Sequence, residues 1–263
     1  MRIVNFRVKR APIVGALFIC LLFLAACINL ADSGQLVRVK RVIDGDTIIL
    51  QNNDKVRFLG VNTPELGHGK FRDEPLANQA RRFVERKIEG REVLLENERT
   101  QKDKYGRRLA QIHSVDGEDI QVGLLERGLA FVVAVGEGGF DYVESYISAE
   151  TIARDANKGV WGNEFFAPVS AKTAVDTRQR GYKRVRGTVK RVSRSKNNQT
   201  LHLEGDFRIL IAHENWQQYF KGNAERYVGQ NVEARGWIFK SHGVTGMKIY
   251  YPAMLEIITS IEY

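Results

Sequence analysis

Residues 38–65 read R-V-K-R-V-I-D-G-D-T-I-I-L-Q-N-N-D-K-V-R-F-L-G-V-N-T-P-E. Val37 and Val39, followed by Val42 or Ile43, give near-alternation, and Thr47 to Leu50 is rich in β-formers, so both read as strands. Asp44-Gly45 between them is a tight-turn signal. By itself Asp-Gly-Asp-Thr reads as no more than that turn. It is not an EF-hand loop, because the further ligands, the Gly and the distal Glu are missing at the required offsets. Val56 and Phe58 mark a third strand, with Arg57 on its opposite side. Pro64 ends this run at Asn62-Thr63-Pro64-Glu65. An Arg beside acids is commonly a surface ion pair worth little. Here three acids and one Arg converge on adjacent turns. Hard oxygen donors suit Ca²⁺ or Mg²⁺, and a guanidinium suits a two-pronged grip on phosphate.

A third piece lies downstream, Asp103-Lys104-Tyr105-Gly106-Arg107, which alone reads as a solvated polar loop. With it the chain resembles the staphylococcal nuclease family. The resemblance rests on V-I-D-G-D-T (42–47), R-x-x-x-V-x-T-P-E (57–65), D-K-Y-G-R (103–107), R-G-L-A (127–130) and A-x-K-G-V-W (156–161). These five motifs occur in the family's order between Gln35 and Gly162, and together they are far more specific than any one. The resemblance implies a five-stranded oligonucleotide-binding-type barrel, Ca²⁺ as cofactor, DNA and RNA as substrates, and 3′-phosphate products. It implies Asp46 as metal ligand, completed by Asn62 and the Thr63 carbonyl, with Asp44 close enough to ligate through water. Arg57 and Arg107 grip the scissile phosphate, Glu65 acts as base, and Lys104 and Tyr105 touch a neighbouring phosphate. Two departures stand out. Asn62 replaces the family's usual second carboxylate, which implies weaker calcium binding because affinity follows ligand charge. The run 130–136 lacks the tyrosines that staphylococcal nuclease carries there.

The N-terminal segment reads as an export signal. Arg2, Arg7, Lys9 and Arg10 precede an apolar core from Ile13 to Ala26 that is short for a spanning helix. It ends Leu24-Ala25-Ala26-Cys27, the pattern of a bacterial lipoprotein in which Cys27 takes the lipid. An ordinary cleaved signal or an uncleaved anchor is the alternative. Ile28 after the cysteine leans towards the outer membrane. The formal charge of +9 includes those four signal cations, so the mature chain carries +5. That fits a polyanion substrate without demanding one. Cys20 leaves with the signal and Cys27 carries lipid, so no cysteine remains for a disulfide scaffold, and stability has to come from packing.

The expected organisation is a signal peptide at 1–26, a linker at 27–34, the nuclease-like barrel at 35–166, a linker at 167–181 and a second barrel at 182–263. The fold class is mainly β with helices (α+β). In the first barrel, strands at about 36–43, 46–51 and 55–61 precede a helix carrying Leu76, Ala80, Phe83, Val84, Lys87 and Ile88. Further strands follow at 92–96 and 109–113, with helices near 120–128 and 142–156. His68 is a lone loop histidine, more simply solvated than catalytic. The second region reads β-β-β-α-β-β, again a small barrel. Its cations and Tyr182, Trp216, Tyr219, Trp237 and Phe239 suit a single-strand groove, or else the rings are core.

Two functions follow. One is a calcium-dependent, sugar-non-specific nuclease tethered to a membrane by lipid, with no protein partner inferred. The other is a silent nucleic-acid-binding envelope lipoprotein. The set Asp46, Arg57, Glu65 and Arg107 favours the first, because transition-state charge on a phosphodiester calls for those groups.

Overall fold

The computed structural model describes residues 34–67, 69, 71–103, 105–134 and 142–259. Cys27, His68 and Lys104 lie outside them. Alternation builds the first barrel. Strands β1 (Gln35–Val42), β2 (Thr47–Leu50) and β3 (Lys55–Phe58) form a meander. On β3, Val56 and Phe58 point into the core while Arg57 faces outward. A two-residue strand β4 (Val61–Asn62) follows, then helix α1 (Ala77–Ile88), β5 (Glu92–Lys102) and β6 (Arg108–Ser114). The barrel closes in the order β1-β2-β3-β6-β5, with β3 and β6 parallel.

Helix α1 buries Ala77, Ala80, Phe83, Val84 and Ile88, one apolar stripe, against the barrel. Leu76, expected within that helix, instead takes a left-handed φ of 70° at its start. Helix α2 (Ile120–Leu125) is capped by Asp119, and β7 (Phe131–Val132) pairs with β4. Helix α3 (Val143–Asp155) closes this part of the fold.

The stretch 167–181, expected as a linker, belongs to the second barrel. Val169–Ser170 (β8) pairs with the next strand, and Ala171–Asp176 forms helix α4, whose Ala171 and Ala174 are fully buried. The run S-A-K-T-A-V-D looks polar because the fully buried residues of that short helix are small alanines, with Val175 only partly buried against the core. Strands β9 (Gly181–Arg194), β10 (Asn198–Leu203) and β11 (Phe207–Ala212) follow. After a helical segment over 213–220 come β12 (Asn231–Ser241), β13 (Val244–Lys248) and β14 (Leu255–Ile258). β9-β10-β11-β13-β12 closes on β9, with β11 and β13 parallel. The connectivity therefore repeats that of the first barrel, strand for strand. β14 is an edge strand on β12 outside the ring.

Residues 35–263 form one compact unit. Buried charge joins the two barrels. Arg235 of β12 lies 2.6 Å from the Glu150 carboxylate of α3, both only 4% exposed. Glu150 also accepts from the Val132 amide at 2.6 Å, and Arg235 donates twice to the Ala253 carbonyl. Burial pushes the Glu150 carboxyl up, and Arg235 opposes it. Trp161 lies beneath the guanidinium groups of Arg154, Arg184 and Arg235, and Phe131 stacks on Tyr182 at 5.1 Å. Arg235→Ala leaves the Glu150 carboxylate buried without its partner. That change should cost about 3–5 kcal/mol of stability by calorimetry or denaturant titration. Pairing Glu150→Gln with Arg235→Met should recover most of it. An unchanged transition in the single variant would contradict this account of the joint.

Candidate active site

Asp46 is the hub. It follows a turn that only a small residue permits: a Cβ on Gly45 would fall 2.6 Å from Ala80 Cβ and 2.7 Å from Thr63 Oγ1. The absent side chain lets the Asp44–Asp46 loop press against α1 and the segment after β4. Asp46, 4% exposed, then takes four donors on its carboxylate. Its Oδ2 accepts from the amide and the hydroxyl of Thr63, both at 2.9 Å, and pairs with Arg57 Nη1 at 2.6 Å. Its Oδ1 accepts from the Thr47 hydroxyl. Arg57 reaches on to Asn62 Oδ1 at 3.2 Å. One carboxylate thus ties together β2, β3 and the turn after β4.

Asp44 caps the same loop, accepting from the Asp46 amide at 3.0 Å. Burial, and then the neighbouring Asp46 charge, push its carboxyl up to about 7. Glu65 faces solvent at the edge of this group. Its carboxyl is raised by desolvation and by Asp46, with Arg57 and Arg107 pulling the other way. Its backbone is held in both directions by Glu74.

Arg107 comes from the separate 103–107 loop. Asp103 builds that loop: one carboxylate oxygen accepts the amides of Tyr105 and Arg107, and the other accepts the Arg107 guanidinium at 2.8 Å. Burial works against the Asp103 charge, but these donors hold its carboxyl below the usual range. The Arg107 guanidinium lies 5.4 Å from the Tyr105 ring, which is 71% exposed. Asp46, Arg57, Asn62 and Thr63 are therefore in direct contact. Arg107 joins them through the field it shares with Glu65, and Tyr105 stands at the rim. Asp103 and the Thr63 hydroxyl were not singled out from sequence. An Asp whose amide partners lie two and four residues on is the signal that could have found the first.

Among the described residues no three His, Cys, Asp or Glu side chains cluster as a metal site. The donors present are the paired carboxylates of Asp44 and Asp46, the Asn62 amide oxygen and the Thr63 carbonyl. All are hard oxygens, and a cation would relieve the repulsion that raises Asp44, so the set fits calcium.

Over its first barrel the chain is similar to known proteins. Residues 55–163 match the family described as staphylococcal nuclease homologue, a span that takes in Arg57, Glu65 and Arg107 and stops before the second barrel. The chain is 33% identical over 132 residues to a thermonuclease of Staphylococcus hyicus, covering 49% of this chain and 77% of that one. It belongs to the staphylococcal nuclease family. Other relatives are a thermonuclease of Staphylococcus intermedius, 41% identical over 100 residues (37% of this chain, 59% of that one), and Endonuclease YncB of Bacillus subtilis, 34% over 129 (48% and 61%). The chain thus spans between about three fifths and three quarters of these relatives.

The Asp44 environment predicts a pH dependence of this family member without metal. A carboxyl with a folded pKa above its usual 3.8 leaves stability intact at pH 4 and lowers it as pH rises towards 7. With chelator present, Asp44→Asn should match the native protein at pH 4 and exceed it by about 2 kcal/mol at pH 8. Equal stabilities at both pH values would contradict the assignment.

Proposed function

We propose that this chain is a calcium-dependent nuclease hydrolysing phosphodiester bonds in DNA and RNA, leaving 3′-phosphate ends. The observation that supports the reading most is the Asp46–Arg57–Asn62 contact set, with the Glu65 carboxyl close enough to feel the charges of Asp46, Arg57 and Arg107. Arg57 and Arg107 hold the scissile phosphate and neutralise the charge that grows on its oxygens. Glu65 takes a proton from the attacking water, and its raised carboxyl makes it a better base than an ordinary glutamate. Asp46, Asp44, Asn62 and the Thr63 carbonyl are the groups that would hold calcium, which supplies positive charge beside the phosphate when bound. Tyr105 lies on the loop that supplies Arg107, and Lys104 and Tyr105 contact a neighbouring phosphate. The names of the thermonuclease and endonuclease relatives support the same activity.

The same reading places the protein outside the cytoplasm, held to a membrane by lipid on Cys27, on the pattern of residues 2–27 alone. Replacing Cys27 by Ala should move it from the membrane to the soluble fraction; retention in the membrane would contradict the anchor.

The activity is tested on single- and double-stranded DNA and on RNA, with calcium or chelator. Arg57→Ala, Glu65→Gln and Arg107→Ala should each lower kcat by at least about 10²-fold. The acid limb of the native pH profile should lie above the ordinary glutamate range and vanish in Glu65→Gln. Cleavage that survives chelator, or ignores these substitutions, would overturn the proposal.

A further inference from the structure

The second barrel carries a face that the site above does not use. Arg191 of β9, His202 of β10, Arg208 of β11, Gly246 of β13 and Phe239 of β12 stand in one register row across it. Along β10 and β11 the inward residues are Leu201, Leu203, Phe207, Ile209 and Ile211, all buried. His202 and Arg208 therefore point outward, as does Arg191 beside them. Arg191 and Arg208 sit on strands either side of β10, about 10 Å apart by strand spacing. Neither forms an ion pair among the described residues, in contrast to Arg184, Arg186 and Arg235, which are neutralised by Glu233 and Glu150.

At the end of the row, Gly246 has no side chain, and a Cβ there would meet Phe239 Cζ at 3.1 Å. The Phe239 ring thus reaches over that position and is only partly buried. His202 sits between the two arginines, its Nε2 2.7 Å from Ser193 Oγ. Burial and then the two arginines hold its imidazole below the usual value. Residues 181–259 contain thirteen Lys and Arg against six Asp and Glu, so a polyanion is the complementary partner.

We infer that the outward face of β9, β10 and β11 is a second nucleic-acid site, gripping the backbone of a single strand between Arg191 and Arg208 with Phe239 as a base platform. Spaced cations beside an aromatic ring recognise single strands without reading sequence. The inference leans on the nuclease reading only for the choice of polyanion. The Trp216 ring, by contrast, is not available: it is buried against Phe220 at 5.4 Å.

Full-length protein in detergent is titrated, with chelator to prevent cleavage, against a fluorescent 20-nucleotide strand at several salt concentrations. Arg191→Ala with Arg208→Ala should bind about tenfold more weakly at low salt, and should flatten the slope of log K against log salt by about 1.4. Arg191→Lys with Arg208→Lys should restore the slope. Phe239→Leu should weaken binding without changing the salt slope. Lys221→Ala, outside the register row, should change neither. Thermal melts confirm that each variant folds. An unchanged slope in the double alanine variant would overturn the inference, as would loss of binding to phosphatidylglycerol vesicles with oligonucleotide binding intact. Cleavage by the native protein in calcium, measured in parallel, separates failure of this face from failure of the nuclease reading.

Discussion

The short contact between Asp46 and Arg57 organises everything around it. A carboxylate this buried survives only because four donors surround it, from Thr47, Arg57 and twice from Thr63. Those donors come from two strands and a turn spread over residues 47–63. Asp46 therefore fixes the relative positions of β2, β3 and the start of the Asn62–Glu65 segment. The same tie aims Arg57 at Asn62 and leaves Glu65 at the edge, so that folding and chemistry draw on one carboxylate.

The second barrel touches this arrangement at one remove. Arg235 holds Glu150, Glu150 accepts the Val132 amide, and β7 pairs Phe131 with Asn62 and Val132 with Val61. Tyr182 stacks on Phe131 from the other side. The contacts form an unbroken path from the second barrel to the strand that carries Asn62. Burying a charged pair there is weak support for stability by itself, but losing either partner is severe, so the joint is specified rather than merely sticky.

Much of this was legible in the sequence because it is local. The turn at Asp44-Gly45, the exposed Arg57 between inward Val56 and Phe58, and the Pro64 stop all follow from alternation and turn chemistry. The two-barrel architecture followed from the order of strands and one intervening helix in each half. What stayed hidden is long-range or small. The pairing of Glu150 with Arg235 spans two barrels and leaves no periodic trace. Helix α4 hid in a polar run because its buried residues are two alanines. Asp103 was read as part of a motif, whereas its role is to build the loop that presents Arg107. Tyr182 and Trp216, offered by sequence as stacking rings, are packed at the joint and in the core.

The central claim is that the Asp46 carboxylate serves both Arg57 and a hard cation. Isothermal titration of calcium into the native protein and into Asp46→Asn tests it most directly. The account predicts measurable binding to the native chain and its loss in Asp46→Asn, with the fold retained by circular dichroism. Equal calcium affinity in a folded Asp46→Asn variant would contradict it.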